Sequence, residues 1–284
     1  MTAAVWEQGV PPYPPALLAL ERPPARVYVM GDPAVLERQA VAIVGARDAG
    51  PRSVAFARRL GRAVAGAGGC VVSGLARGVD AAAHEGALDV PDGRTCAVLA
   101  GGLDVGAPPR NRTLRDRVAG RGLLLSESAP GVHPDKWMFP RRNRLIAALA
   151  HATVVVEAGP ESGTRHTVRE AQRLDRVVAA VPGPVETAAC LGSNRLLQEP
   201  GVLVVLEPAD AVALLSPRVE LTPPPAELTA DEAGVWDALA DGAADVDAIA
   251  ARSRVPTIRC LAAVTTLELR GLVECTMAGE VRRL

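Results

Sequence analysis

Six consecutive residues, Phe139-Pro140-Arg141-Arg142-Asn143-Arg144, set three guanidiniums beside an aromatic ring, and Lys136 and Trp137 stand just before them. An aromatic face stacks a nucleic-acid base while neighbouring cations neutralise phosphates, so this grouping suits a single-stranded polyanion. A helix is expected to begin at Pro140, and cations at a helix N-terminus oppose the macrodipole. Selection for stability alone would avoid them there. A solvated helix start with a buried phenylalanine accounts for the ring but not for the charges.

Other stretches carry anion-binding potential in their backbone. Gly45-Ala46-Arg47, the turn from Ser73 and Gly74 to Arg77 and Gly78, Gly101-Gly102, and residues 159–164 each follow a short apolar run. Glycines let N–H groups approach an anion, and helix N-termini attract one. Tight strand-to-helix turns also need glycine, so one such loop says little, and several on one edge point to phosphate. The usual nucleotide motifs are absent. Gly45 and Gly50 are followed by Pro51-Arg52 rather than Lys-Ser/Thr, so no P-loop is expected. The first glycine-rich turn lacks a second glycine and the second strand ends in Ser73-Gly74 without an acid, which argues against a dinucleotide. Asp80 and His84 are four residues apart on one helix face; this is a candidate acid–base pair, with a structural hydrogen bond as the plainer reading. His133, His151 and His166 have no metal-ligand spacing, and no GxSxG is present. The chain therefore reads as a binding protein with no catalytic residue, metal or cofactor.

These loops need a scaffold that brings them to one edge. Short apolar runs at 41–44, 70–73, 95–100, 123–126, 153–157 and 177–181 alternate with helix-length segments at 52–66, 79–88, 112–118, 140–149 and 164–174, and 202–206 adds an edge strand. Runs that are apolar throughout belong to parallel strands buried on both faces. The expected class is α/β, an extended Rossmann-like, mostly parallel sheet with helices on both faces. Residues 1–40 read as an N-terminal arm, 41–215 as the Rossmann-like DNA-binding domain, and 216–228, with four prolines, as a linker. Residues 229–284, three helices and a hairpin, read as a small C-terminal winged-helix domain.

Composition adds exclusions. Of the 284 residues 49% are hydrophobic and 2% aromatic, so the core is built from Val, Leu, Ala and Ile. No apolar run long enough to span a membrane occurs, and the opening MTAAVWEQGVPPYPP lacks the regions of a signal peptide. The five cysteines form no CxxC, which fits a reducing cytoplasm better than a disulfide or zinc framework. Net charge is −1, but residues 220–284 carry 11 acids against 6 arginines, leaving +4 for the rest. A phosphate backbone would be repelled by that acidic tail.

Together these residues resemble the bacterial DNA-processing protein A (DprA/Smf) family over nearly the whole chain. The matching pieces include VAIVGAR (41–47), VVSGLARGVDAAAH (71–84), CAVLAGGLD (96–104), FPRRNRLIAAL (139–149), VVVEAGPESGT (154–164) and GSNRLL (192–197). The resemblance implies a homodimer that binds single-stranded DNA, protects incoming DNA in natural transformation, and loads the RecA recombinase for homologous recombination. Single-stranded-DNA-binding protein is a further candidate partner. The family's DNA pocket carries over to Arg47, Ser73, Gly74, Phe139, Arg142 and Asn143. Arg77, Arg110, Lys136 and Arg144 are nearby candidates, and Ser162, Gly163 and Thr164 complete the set. The chain departs from the family at Gly45-Ala46-Arg47, which lacks a hydroxyl residue in the middle. It departs again at Ala107-Pro108-Pro109, where Arg110 is the substitute for a usual lysine.

Two other readings stand beside this one. The loop 159–164 partly resembles that of nucleotide phosphoribohydrolases of the lysine-decarboxylase-like type, but Thr167 occupies the position of their glutamate. A winged helix also suits a transcription regulator, a role its acidic helices weigh against.

Overall fold

The computed structural model describes residues 3–105, 108–216, 228–239, 244–276 and 279–283. The expected linker, apart from its two end residues, lies outside them. The chain divides into two compact units, Met1–Pro217 and Arg218–Leu284.

The first unit runs β1 (Ala4–Glu7), β2 (Arg26–Gly31), β3 (Ala40–Val44), α1 (Pro51–Gly66), β4 (Cys70–Ser73), α2 (Val79–Leu88), β5 (Arg94–Leu99), α3 (Arg112–Arg121), β6 (Leu123–Ser126), α4 (Met138–Leu149), β7 (Ala152–Val155), α5 (Thr164–Arg173), β8 (Val177–Ala180), α6 (Leu191–Leu196), β9 (Val202–Val204) and α7 (Pro208–Ala213). One sheet takes all nine strands in the order β1-β2-β6-β5-β4-β3-β7-β8-β9. From β6 to β9 every pairing is parallel, and β1 and β2 are antiparallel. The described residues of the segment 1–40, expected as an arm leading into the sheet, thus include β1 and β2, which are strands of the sheet itself. Their strands alternate, with Trp6, Val27 and Val29 buried between more exposed neighbours, as an antiparallel edge half-open to solvent requires.

The central strands are buried on both sides because alternate side chains serve different layers. Cys96 and Val98 of β5 join Leu145 and Ile146 of α4, while Ala97 and Leu99 join Leu88 of α2 and Leu114 and Val118 of α3. Backbone closeness locks α1 onto α2: a methyl group on Gly61 would overlap the Ala83 carbonyl, and one on Gly86 that of Arg58.

Strand order reverses between β3 and β7. Crossovers from these adjacent strands lead to opposite sides, which opens a crevice at their carboxyl ends, the usual ligand position in such sheets.

The second unit contains α8 (Ala230–Ala238), β10 (Ala244–Asp245), α9 (Val246–Ser253), α10 (Thr257–Leu269), β11 (Val273–Cys275) and β12 (Glu280–Arg283). The three strands form a sheet in the order β10-β12-β11, the winged-helix arrangement. Its helices start on their own caps: Thr229 and Glu232 close a capping box on α8, and Asp245 accepts from the Ala248 amide at α9. Among the described residues no helix is long and apolar enough to cross a membrane.

Candidate nucleic-acid interface

The crevice at the switch point holds a cavity of about 460 Å³. The end of β3 with Gly45 and Arg47 forms one side, Lys136, Phe139, Arg142 and Asn143 another, and Ser162, Gly163 and Thr164 a third. The Arg47 guanidinium lies 4.5 Å from the centre of the Phe139 ring, within cation–π range. A second cavity of about 480 Å³ shares Arg47, Ala76, Phe139 and Arg142, and adds Gly74, Arg77, Arg112, Arg115 and His133. The Arg47–Phe139 pair is therefore common to two basins that together make one cationic trough.

The floor of the trough is closed by its own charges. Arg142 is buried. Its Nη1 donates to the carbonyls of Gly74 (2.7 Å) and Val98, and its Nε to Asn143 Oδ1. Only Nη2 makes no hydrogen bond among the described residues. Asp80, also buried, accepts from the amides of Gly74 at 3.2 Å and Ala76 at 3.4 Å. Burial pushes the Asp80 carboxyl above its ordinary range, with Arg142 and these amides pulling it back. Burial likewise lowers the Arg142 guanidinium to about 10, with Asp80 supporting its charge. The two groups sustain each other's ionisation away from water.

This overturns part of the sequence reading. The Ser73–Gly74 turn, expected to hold phosphate, holds the Asp80 carboxylate instead, and the Ser73 hydroxyl is buried, donating to the Ile43 carbonyl at 2.6 Å. From the first turn of α2 the acid reaches back and satisfies amides of the turn that precedes the helix. The start of α1 is filled in the same manner, for the Gly50 amide donates to the buried Glu157 carboxylate at 3.3 Å. Arg142, expected as a phosphate ligand, is foremost a brace between three elements. Asp80 and His84 do not pair. His84 Nδ1 lies 2.7 Å from Thr95 Oγ1, whose own proton goes to the Val71 carbonyl. Burial, aided by Arg142, lowers the imidazole to about 3, so it is neutral.

The rim is different. Lys136 and Arg112 are exposed and have no ion-pair partner among the described residues. Arg77 meets the exposed Asp48, at 3.0 Å. Asn143 Nδ2 donates to the Gly163 carbonyl at 3.2 Å and so ties α4 to the loop before α5. In that loop the Thr164 hydroxyl donates to Ser162 Oγ at 2.8 Å.

Two expected residues are not brought to the trough. Arg144 pairs with Glu127 at 2.7 Å and donates to the Arg22 carbonyl, and it lines neither basin. The reason is helical period: 139, 142 and 143 share one face of α4, whereas 141 and 144 share another and both reach Glu127. Arg110 is exposed and lines neither basin. Arg112, Arg115 and His133 were not anticipated, although the i, i+3 spacing of the two arginines is visible in the sequence. Among the described residues no group of His, Cys, Asp and Glu is placed to hold a metal ion.

Comparison with known proteins adds to this geometry. A family model described as DNA recombination-mediator protein A matches residues 5–216, and one described as DprA winged helix domain matches residues 219–279. The chain is 42% identical over 245 residues to a DNA processing protein DprA of Mycobacterium tuberculosis, covering 84% of this chain and 62% of that protein. It is 32% identical over 281 residues to protein Smf of Escherichia coli, covering 95% and 75%. The chain thus spans about three fifths of the length of the mycobacterial relative. Among solved structures, DNA processing protein A from Streptococcus pneumoniae superposes with a TM-score of 0.70 at 34% identity, covering 74% of this chain and 73% of that one. DNA processing protein A from Helicobacter pylori, described as having a unique single-stranded DNA binding mode, gives 0.67 at 29% identity, covering 75% and 95%.

Proposed function

The chain belongs to the DNA recombination-mediator protein A family, and from that membership we propose that its first unit grips single-stranded DNA in the trough and performs no chemistry on it. The observation that carries this reading is Arg47 held over Phe139. The ring is half-buried and the guanidinium exposed, so one flat surface and one permanent charge stand side by side before any ligand arrives. A base stacks on the ring or on the guanidinium plane, and the phosphates on either side meet Lys136 and Arg112. Asp80 and Arg142 are buried beneath, so the exposed charges set the sign of the rim.

Such binding is weakly sequence-specific and falls steeply with salt. We further infer that the bound strand is protected and handed to a RecA-type recombinase during natural transformation, in the cytoplasm, by a homodimer, with single-stranded-DNA-binding protein as a second partner. Membership of the family supports these assignments. The hydrolase reading gains no support, because Thr167 stands buried where that chemistry needs a carboxylate.

Fluorescence anisotropy with a labelled oligonucleotide tests the grip. Arg47→Ala and Phe139→Ala are each expected to weaken binding about 10- to 100-fold, the equivalent of roughly 1–3 kcal/mol per stacked base, with unchanged melting. Undiminished binding by both variants would refute the proposed trough.

A further inference from the structure

We propose that the outer face of α1 is a second station for the same DNA strand, a track that takes up nucleotides leaving the trough; this rests on the grip described above. The chain has two phenylalanines, Phe56 and Phe139. Both are half-buried, and both lie under an arginine. The Arg59 guanidinium is 5.1 Å from the centre of the Phe56 ring, repeating the Arg47–Phe139 arrangement on a different element.

Around Phe56 the helix is strongly basic. Arg52, Arg58, Arg59 and Arg62 line a shallow groove with Ala55 and Asp89. The acids that face it are Asp89 and Glu85, and both are already engaged by Arg58, at 2.7 and 3.6 Å. Arg52, Arg59 and Arg62 are exposed and have no ion-pair partner within reach among the described residues. Arg62 and Arg117 add a longer-range pull on Asp89. Arg52 sits in the first turn of α1, where a cation opposes the helix dipole, so helix stability does not explain it.

Position favours a strand of DNA over an acidic protein surface. Arg52 follows Arg47 by five residues, and α1 starts at the sheet edge where the trough lies. Residues 52, 55, 59 and 62 fall on one stripe, and the ten-residue span from Arg52 to Arg62 is about 15 Å long. A stacked strand advances about 3.4 Å per nucleotide, so the stripe matches roughly four nucleotides. A ring among the arginines offers a stacking face, which an acidic peptide does not require.

Oligonucleotide length separates the two stations. An oligonucleotide of roughly 6 nucleotides fills the trough alone, and one of roughly 20 reaches α1 as well. The triple substitution Arg52→Gln, Arg59→Gln, Arg62→Gln should leave the short one bound within about twofold. It should weaken the long one about tenfold at low salt and reduce its salt slope by about 2, from roughly 0.7 per lost phosphate contact. Phe56→Leu, which keeps the apolar bulk, should weaken the long one about threefold with no change in melting. If the triple variant leaves long-strand affinity and slope intact, or weakens both lengths equally, the track on α1 is wrong. If Arg47→Ala leaves short-strand binding intact, the trough is wrong instead.

Discussion

The floor and the rim of the trough are built from the same residue types and behave as opposites. On the floor, Arg142 and Asp80 are buried, and their hydrogen bonds go largely to protein carbonyls and amides. On the rim, Arg47, Arg112 and Lys136 are exposed, and Arg47 rests on a ring rather than on a carboxylate. Burying a charge is costly unless its hydrogen bonds are met, and groups satisfied in this way serve position. An exposed charge held on an aromatic face is cheap and available to a ligand. The difference teaches that proximity to a cleft does not make an arginine a ligand; what it already holds decides.

The sharpest way to break this contrast is Arg142→Ala. It leaves the buried carbonyls of Gly74 and Val98 without their donor and removes the cation that pulls the Asp80 carboxyl down, and a loss of about 2–4 kcal/mol in urea unfolding is expected. A loss below about 1 kcal/mol would place Arg142 with the rim.

Next comes acid. With His84 lowered to about 3 in the fold and near 6.5 when unfolded, the unfolded chain binds the extra proton between those values. Stability contributed by this neutral imidazole is present above pH 6.5 and is lost as the pH falls toward 3, at up to about 1.4 kcal/mol per pH unit. Asp80, held above its ordinary range, works the other way and offsets part of that loss. His84→Gln should flatten the acid limb of a stability–pH curve by about one proton. An unchanged slope would mean that His84 is not buried and neutral.

Smaller still is the coupling between Arg47 and Phe139. A double-mutant cycle on DNA affinity should return a non-additive term of about 0.5–1 kcal/mol, and strict additivity would separate the ring from the cation. Least of all, Arg144→Ala should alter DNA affinity by less than about twofold, because its guanidinium is held by Glu127 and lines neither basin. A tenfold loss would restore it to the binding set.

Much of the fold is legible in the residues. Strands that are apolar throughout, ended by glycine-bearing turns, place β3 to β8 and the intervening helices within a few residues. β1 is not legible that way, because four residues with one buried side chain form no pattern. At the site, Phe139 and Lys136 follow from composition, and Asn143 from the family resemblance. Arg144 is misplaced when arginines are counted rather than assigned to helix faces. The filled amide sites divide in the same way. Asp80 lies six residues from Gly74, and its place in the first turn of α2 hints at its role. Glu157 is 107 residues from the Gly50 amide it accepts from, a separation that no local pattern encodes.

The reversal of strand order between β3 and β7 also has a bearing on synthesis. A growing chain completes β3 to β6 with Arg47 and Arg77 already in place, but the ring that Arg47 covers arrives only with α4, and the third wall only after β7 has paired with β3. Half-made chains on the ribosome therefore carry the charges without the grip. The ring and the third wall join those charges only when the two halves of the sheet close.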